Sequence, residues 1–260
     1  MKLGLIGGGN IGQFLLQSVN GKQMIPNTTI SGMFSRNQKT AQRLADVYQV
    51  INHESIESII QSDVEAIVEA ATVQVVEQSA AQILASGKDL ILSSVGALAD
   101  SHFYNELMSI CQANGTKIHL PSGAVGGLDI LKAAKSNGEL EAVSITTTKP
   151  PHALENAPKD VRAVIFEGSA SEAIKLYPKN INVSIILSLA GLGPEKTNVK
   201  IISDPDVKKN SHAIDAFGAF GRLTLTIEND PMPSNPKTSY LAALSVLATL
   251  KNKDEWIRVG

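Results

Sequence analysis

The sequence predicts an α/β protein. Its first half reads as a doubly wound parallel sheet, its second half as an α+β domain with a mainly antiparallel sheet. Three observations carry this. Short apolar runs alternate with longer stretches of helical spacing as far as Leu120. A glycine-rich turn, Gly7-Gly8-Gly9-Asn10-Ile11-Gly12, separates the first apolar run from the first helical stretch. Beyond Leu120 the apolar spacing changes to a period of two.

The runs Leu3–Ile6, Thr29–Phe34, Ala66–Glu69, Leu90–Leu92 and Lys117–His119 suit strands buried on both faces. Between them Ile11–Val19, Lys39–Tyr48, Ile56–Ile60, Val75–Ala85 and Phe103–Gln112 suit helices, and the alternation builds βαβ units. Gly87 and Gly115 each close a helical stretch ahead of a strand, the place of a left-handed cap. Pro121–Gly127 reads as a turn-rich hinge. A short helix, Leu128–Lys135, follows it, and then the period-two stretches Ala142–Thr148, Thr197–Asp204 and Arg222–Glu228. In the last of these Leu223, Leu225 and Ile227 alternate with Arg222, Thr224, Thr226 and Glu228, as in a sheet covered on one face. The stretch Asp230–Pro236 leads to a helix expected over Lys237–Leu250, with Asn235 as N-cap and Pro236 at the first helical position. Two domains are expected, 1–121 and 122–235, with the helix 236–251 packing back on the first.

Composition narrows the function. With 43% hydrophobic residues in 260, the chain has material for a core and does not read as disordered. A balance of 23 basic and 25 acidic residues lacks the broad basic footprint of a nucleic-acid or anionic-membrane binder. The single cysteine, Cys111, leaves no intramolecular disulfide, thiolate zinc site or CxxC pair, which points to a reducing, cytoplasmic compartment. The apolar start is broken by Gly7–Gly9 and Asn10, unlike a signal peptide. The run Ile181–Leu192 contains Asn182, Ser184 and Ser188 and is too short for a bilayer, so a soluble protein is expected. Histidines and acids show no metal-ligand spacing, and no metal is expected.

The glycine turn satisfies GxGxxG through Gly7, Gly9 and Gly12, directly after a strand and opening a helix. Gly7 permits the tight turn, Gly9 lets backbone approach a pyrophosphate, and Gly12 lets helix and strand pack closely. The free N–H groups of the helix start, at Asn10 and Ile11, and the helix dipole favour phosphate charge. This is the dinucleotide-binding context of a Rossmann domain. The second strand ends in Gly32-Met33-Phe34-Ser35-Arg36-Asn37, without the acid that holds a ribose 2′-hydroxyl. Ser35 and Arg36 suit a 2′-phosphate instead, so NADP is expected to be accepted alongside NAD. Glu69–Thr72 and Ser93–Ala97 end two further strands and are expected to flank the nicotinamide half.

Several segments, in order along nearly the whole chain, together resemble the L-aspartate dehydrogenase family. They are the glycine turn, Pro121-Ser-Gly-Ala-Val-Gly-Gly-Leu-Asp129, Tyr177-Pro-Lys-Asn-Ile-Asn-Val183, Asn210-Ser-His-Ala-Ile-Asp-Ala-Phe-Gly218 and Pro233-Ser-Asn-Pro-Lys-Thr-Ser239. The resemblance implies NAD(P)-dependent oxidative deamination of L-aspartate, reversible from oxaloacetate and ammonia, with a link to NAD biosynthesis. It implies His212 as the catalytic residue and Ala124 and Asn182 as cofactor contacts. Many relatives carry an acid near Ser35; this chain does not.

The residues support such chemistry independently. Hydrolysis of the imine left by hydride loss needs a group that accepts a proton near neutral pH, which suits a histidine. His212 lies in the polar segment Lys208–His212, expected just before a helix. A dicarboxylate also needs donors; the expected helix start offers N–H groups, the hydroxyl of Thr238 and the ammonium of Lys237. His53, His102 and His152 are expected to be solvated, and His119 is a weaker candidate near the cleft. The competing readings are a dehydrogenase or reductase for another small amino or oxo acid, and a protein that senses NAD(P) without turnover. A homodimer is expected, with the second domain supplying its surface.

Overall fold

A computed structural model describes residues 1–154, 156–177, 182–233 and 235–257, the side chains of 235–237 and 254 excepted. The described chain divides into two compact units, Met1–Pro121 with residues 243–257, and Ser122–Ala242.

The first unit alternates strand and helix. Its elements are β1 (Lys2–Ile6), α1 (Asn10–Leu16), β2 (Thr29–Phe34), α2 (Gln38–Tyr48), β3 (Ile51–Asn52), α3 (Ile56–Ile60), β4 (Ala66–Glu69), α4 (Val73–Ala85), β5 (Asp89–Leu92), α5 (Ser101–Asn114) and β6 (Ile118–His119). All strand pairs are parallel, in the order β3-β2-β1-β4-β5-β6. The order reverses between β1 and β4, the switch point where such sheets bind ligands at the carboxyl ends of their strands. Side-chain caps fix the helix starts: Asn37, Ser55, Thr72 and Asp100 each accept a hydrogen bond from the backbone N–H three residues on. Gly115, at φ +67, closes α5 in the left-handed conformation. The short β3 has no apolar run behind it and was unmarked in the sequence.

The second unit comprises α6 (Leu128–Ser136), β7 (Leu140–Lys149), β8 (Ala163–Ser169), α7 (Ala170–Leu176), α8 (Asn182–Ala190), β9 (Thr197–Ser203), β10 (Asn210–Gly218), β11 (Gly221–Asn229), β12 (Pro231–Met232) and β13 (Asn235–Ser239). Its main sheet runs β11-β10-β7-β9-β8. The β7–β9 pair is parallel and the others antiparallel.

Two expectations are corrected. His212 does not precede a helix; it lies inside β10. There His212, Ile214 and Ala216 are buried and alternate with the more exposed Ser211, Ala213 and Asp215, a strand period. Nor does the last helix start at Lys237 behind an Asn235 cap. Pro231 pairs with Ser239 and Met232 with Asn235, and the Tyr240 N–H donates to the Asp230 carbonyl at 2.9 Å. This small ribbon keeps the chain extended, and α9 runs instead over Tyr240–Asp254. Pro236 falls in the irregularity between these two pairings, where the ladder has no partner for it. From α9, Val246, Leu247 and Leu250 enter the hydrophobic cluster of Leu3, Leu5, Met33, Val68 and Ile91. Among the described residues no helix is long and apolar enough to cross a membrane.

Candidate active site

In the first unit the glycine turn follows β1. The Gly7 N–H donates to the Phe34 carbonyl at 2.8 Å, locking the turn to the end of β2. Gly7 adopts φ +121, and a Cβ there would lie 2.3 Å from the Ala70 carbonyl oxygen. A Cβ on Gly12 would lie 2.1 Å from the Gly7 oxygen. These two positions therefore demand glycine for packing. Gly9 differs: a Cβ there would meet nothing within 4 Å. Gly9 caps α1 without any side-chain hydrogen bond, so Asn10 and Ile11 lie in a first turn whose N–H groups lack a side-chain acceptor. The open side of the turn is what a closely approaching pyrophosphate requires.

A cavity of about 270 Å³ adjoins this turn, lined by Gly7–Gly9, Phe34, Ser35, Arg36, Asn37 and Ala70–Thr72. Ser35 and Arg36 thus share one cavity with the glycines, and no carboxylate is among its lining residues. Further along the same sheet edge, Glu69 at the end of β4 is only 1% exposed. Its Oε1 accepts from the Ala71 N–H (2.7 Å) and the Ser94 hydroxyl (2.8 Å), and Oε2 from the Ser94 N–H (2.9 Å). Burial pushes its pKa up, against those hydrogen bonds. The carboxyl group ties the loop after β4 to the loop after β5. Beside it, the buried Ser93 hydroxyl has no hydrogen-bond partner among the described residues. An orphaned hydroxyl at this edge and the open Gly9 turn both fit a dinucleotide.

In the second unit, His212 is 3% exposed. In the sheet it pairs with Thr147 of β7 and Ile227 of β11. Its Nδ1 lies 2.9 Å from the Thr147 hydroxyl, which orients the ring. Nε2 makes no hydrogen bond to any described residue. Burial, and next the charge of Lys149, push its pKa down to about 4, so the free imidazole is neutral at pH 7. Lys149, the last residue of β7, is itself pushed down to about 8 by burial. Neither Thr147 nor Lys149 was singled out from the sequence. The period of two in Ala142–Thr148 puts Thr147 on the face shared by Val143 and Ile145, and Lys149 continues it by one step.

Other expected site residues spread out. Ala124 is buried in the hinge, its carbonyl accepting from Asn229 Nδ2 at 3.1 Å, and Asn182 is the exposed first residue of α8. Thr238 is half-buried in β13, and the Lys237 side chain lies outside the described residues. The helix N–H donors expected around them are absent, because α9 starts later. His119 is engaged by Asp89 Oδ2 at 3.1 Å and by Lys253 Nζ at 3.0 Å. His53 is part-buried, not solvated: it packs against Gly32, and its Nδ1 lies 3.2 Å from the Ser58 hydroxyl.

A parallel sheet in this order, with a GxGxxG turn at its first strand and an open side at Gly9, defines a dinucleotide-binding protein of the Rossmann class. The comparisons with known proteins narrow the class. Residues 7–121 match the family model described as homoserine dehydrogenase, NAD binding domain, and residues 129–253 that described as aspartate dehydrogenase, C-terminal. The L-aspartate dehydrogenase of Methanocaldococcus jannaschii is 39% identical over 100% of this chain and 99% of its own. That of Methanospirillum hungatei is 38% identical over the same shares. The crystal structure of aspartate dehydrogenase from Thermotoga maritima superposes with a TM-score of 0.82 at 32% identity, covering 100% of this chain and 99% of that one. The chain belongs to the aspartate dehydrogenase family.

Proposed function

We propose that this chain catalyses the NAD(P)-dependent oxidative deamination of L-aspartate, through iminoaspartate, to oxaloacetate and ammonia, and the reverse amination. The observation that carries the reading is His212: a buried, oriented, neutral imidazole in a chain of this family. Gly7, Gly9, Asn10, Ile11 and Gly12 would hold the dinucleotide, which would supply hydride acceptance from the substrate Cα. The remaining chemistry is proton transfer. Water adds to the imine carbon and loses a proton to Nε2 of His212; the imidazolium returns that proton to the amine nitrogen, the C–N bond breaks as the carbinol O–H gives up its proton to form the ketone, and ammonia leaves. If the Thr147 hydroxyl accepts from Nδ1–H, the Nε2 lone pair is the one that takes the proton. A group with pKa about 4 is a weak base. A bound dianion offsets the Lys149 charge, one cause of that low value, and raises the proton affinity towards working pH.

Ser35 and Arg36 beside the glycine cavity support acceptance of NADP as well as NAD. Arg36→Ala is expected to raise the KM for NADP about tenfold and leave that for NAD unchanged; strong NAD preference that survives the substitution contradicts this. Entry of the imine product into NAD biosynthesis rests on the family resemblance. The test of the function is aspartate-dependent reduction of both cofactors, with the reverse reaction run on ammonia and a panel of 2-oxo acids. Preference for oxaloacetate over pyruvate and 2-oxoglutarate is expected. Cofactor binding without turnover of any amino acid contradicts the proposal.

A further inference from the structure

The inward face of β7 changes character at its end. Val143 and Ile145 are buried and apolar, Thr147 is buried and polar, and Lys149 follows at the same period. Across the sheet Thr147 is flanked by His212 of β10 and Ile201 of β9, and Lys149 by the fully buried Ser203 of β9. A hydroxyl, an imidazole and a lysine thus share one end of an otherwise apolar face. Lysine rarely occupies such a face, because removing its charge from water is costly. Beyond the end of β9, the Asp204 N–H donates to the Lys149 carbonyl at 3.0 Å and holds the end of β7 in place.

We propose that Lys149 is a substrate-binding residue whose ammonium engages a carboxylate of the dicarboxylate substrate beside His212. The proposal rests on the aspartate reading above and deepens it. An ammonium at this place does two things. It contributes charge complementarity to a dianion, as a point charge with rotatable donors. It also couples binding to chemistry: once a carboxylate neutralises it, it no longer opposes proton uptake by the imidazole.

The test compares Lys149→Met and Lys149→Arg with the wild type, using steady-state kinetics and calorimetric titration with succinate, an unreactive dicarboxylate, in the presence of cofactor. Lys149→Met is expected to raise the KM for aspartate and oxaloacetate about 30-fold and to weaken succinate binding to the same extent. The KM for the dinucleotide stays unchanged, and Lys149→Arg recovers most of the loss. A Lys149→Met protein that binds dinucleotide normally and keeps its aspartate KM and succinate affinity within about twofold overturns the proposal. So does a wild type that binds no succinate. Should the Met variant fail to bind dinucleotide, Lys149→Gln carries the same comparison. If the wild type oxidises no aspartate, the substrate reading falls, while the succinate comparison still decides the role of Lys149.

Discussion

The two units build their sites from different materials. The first uses backbone: Gly7, Gly9 and Gly12 shape a turn whose useful groups are N–H donors and empty space. The second uses side chains on adjacent strands: Thr147 and His212 meet at 2.9 Å only because β7 and β10 pair in one register. A backbone site fails when a side chain is added. A side-chain site fails when one is removed, or when the strands slip by one residue. The same chain therefore carries one site sensitive to gain of volume and one sensitive to loss of a functional group.

The largest effect on dinucleotide binding separates the glycines from one another. Gly12→Ala places a methyl group on the Gly7 carbonyl, so both dinucleotide affinity (about 100-fold) and Tm (roughly 5 °C or more) are expected to fall. Gly9→Ala fills only open space: Tm holds, while dinucleotide affinity falls by about tenfold or more. Calorimetry and thermal melts on the two variants check this, and equal loss of Tm in both breaks the distinction. Thr147→Val removes the orienting hydroxyl with little change of volume. It is expected to lower kcat about tenfold and leave dinucleotide affinity alone, measured by steady-state kinetics.

The smallest effect concerns the frame of the first unit. Asp89 Oδ2 takes Lys253 Nζ at 2.6 Å and His119 Nε2 at 3.1 Å, and Oδ1 accepts the Lys117 N–H at 2.8 Å. These hydrogen bonds and the Lys253 charge overcome burial and hold its pKa near 2, below the ordinary 3.8. A depressed carboxylate stabilises the fold above its unfolded pKa, and the contribution is lost as pH falls through the folded value. Asp89→Asn is therefore expected to cost about 1–2 kcal/mol at neutral pH, with the difference from wild type vanishing between about pH 4 and pH 2. Denaturant melts across that range check it, and kcat should not move.

The contrast also explains what could be read in advance. The alternation of apolar runs and helical stretches, the glycine turn and the left-handed Gly115 are local in sequence, and each lies where its pattern put it. The short β3 was missed because it is held by β2, not by its own composition. Around His212 the polar Lys208-Lys209-Asn210-Ser211 points locally to the approach to a helix. The period of His212, Ile214 and Ala216 already described a strand. The start of α9 was misplaced because Asn235-Pro236 is a good cap pair locally, and only pairing with Pro231–Met232 overrides it. Thr147 and Lys149 acquire meaning from register, a tertiary property that no window of sequence contains.

The central claim is that the buried imidazole of β10 serves cofactor-dependent oxidation of aspartate. The direct measurement is aspartate-dependent dinucleotide reduction by wild type and His212→Ala at saturating cofactor, with dinucleotide affinity measured on both. The expected result is a fall in kcat of about 10³-fold with that affinity within about twofold. A variant that binds dinucleotide normally and turns over aspartate at near the wild-type rate would contradict it.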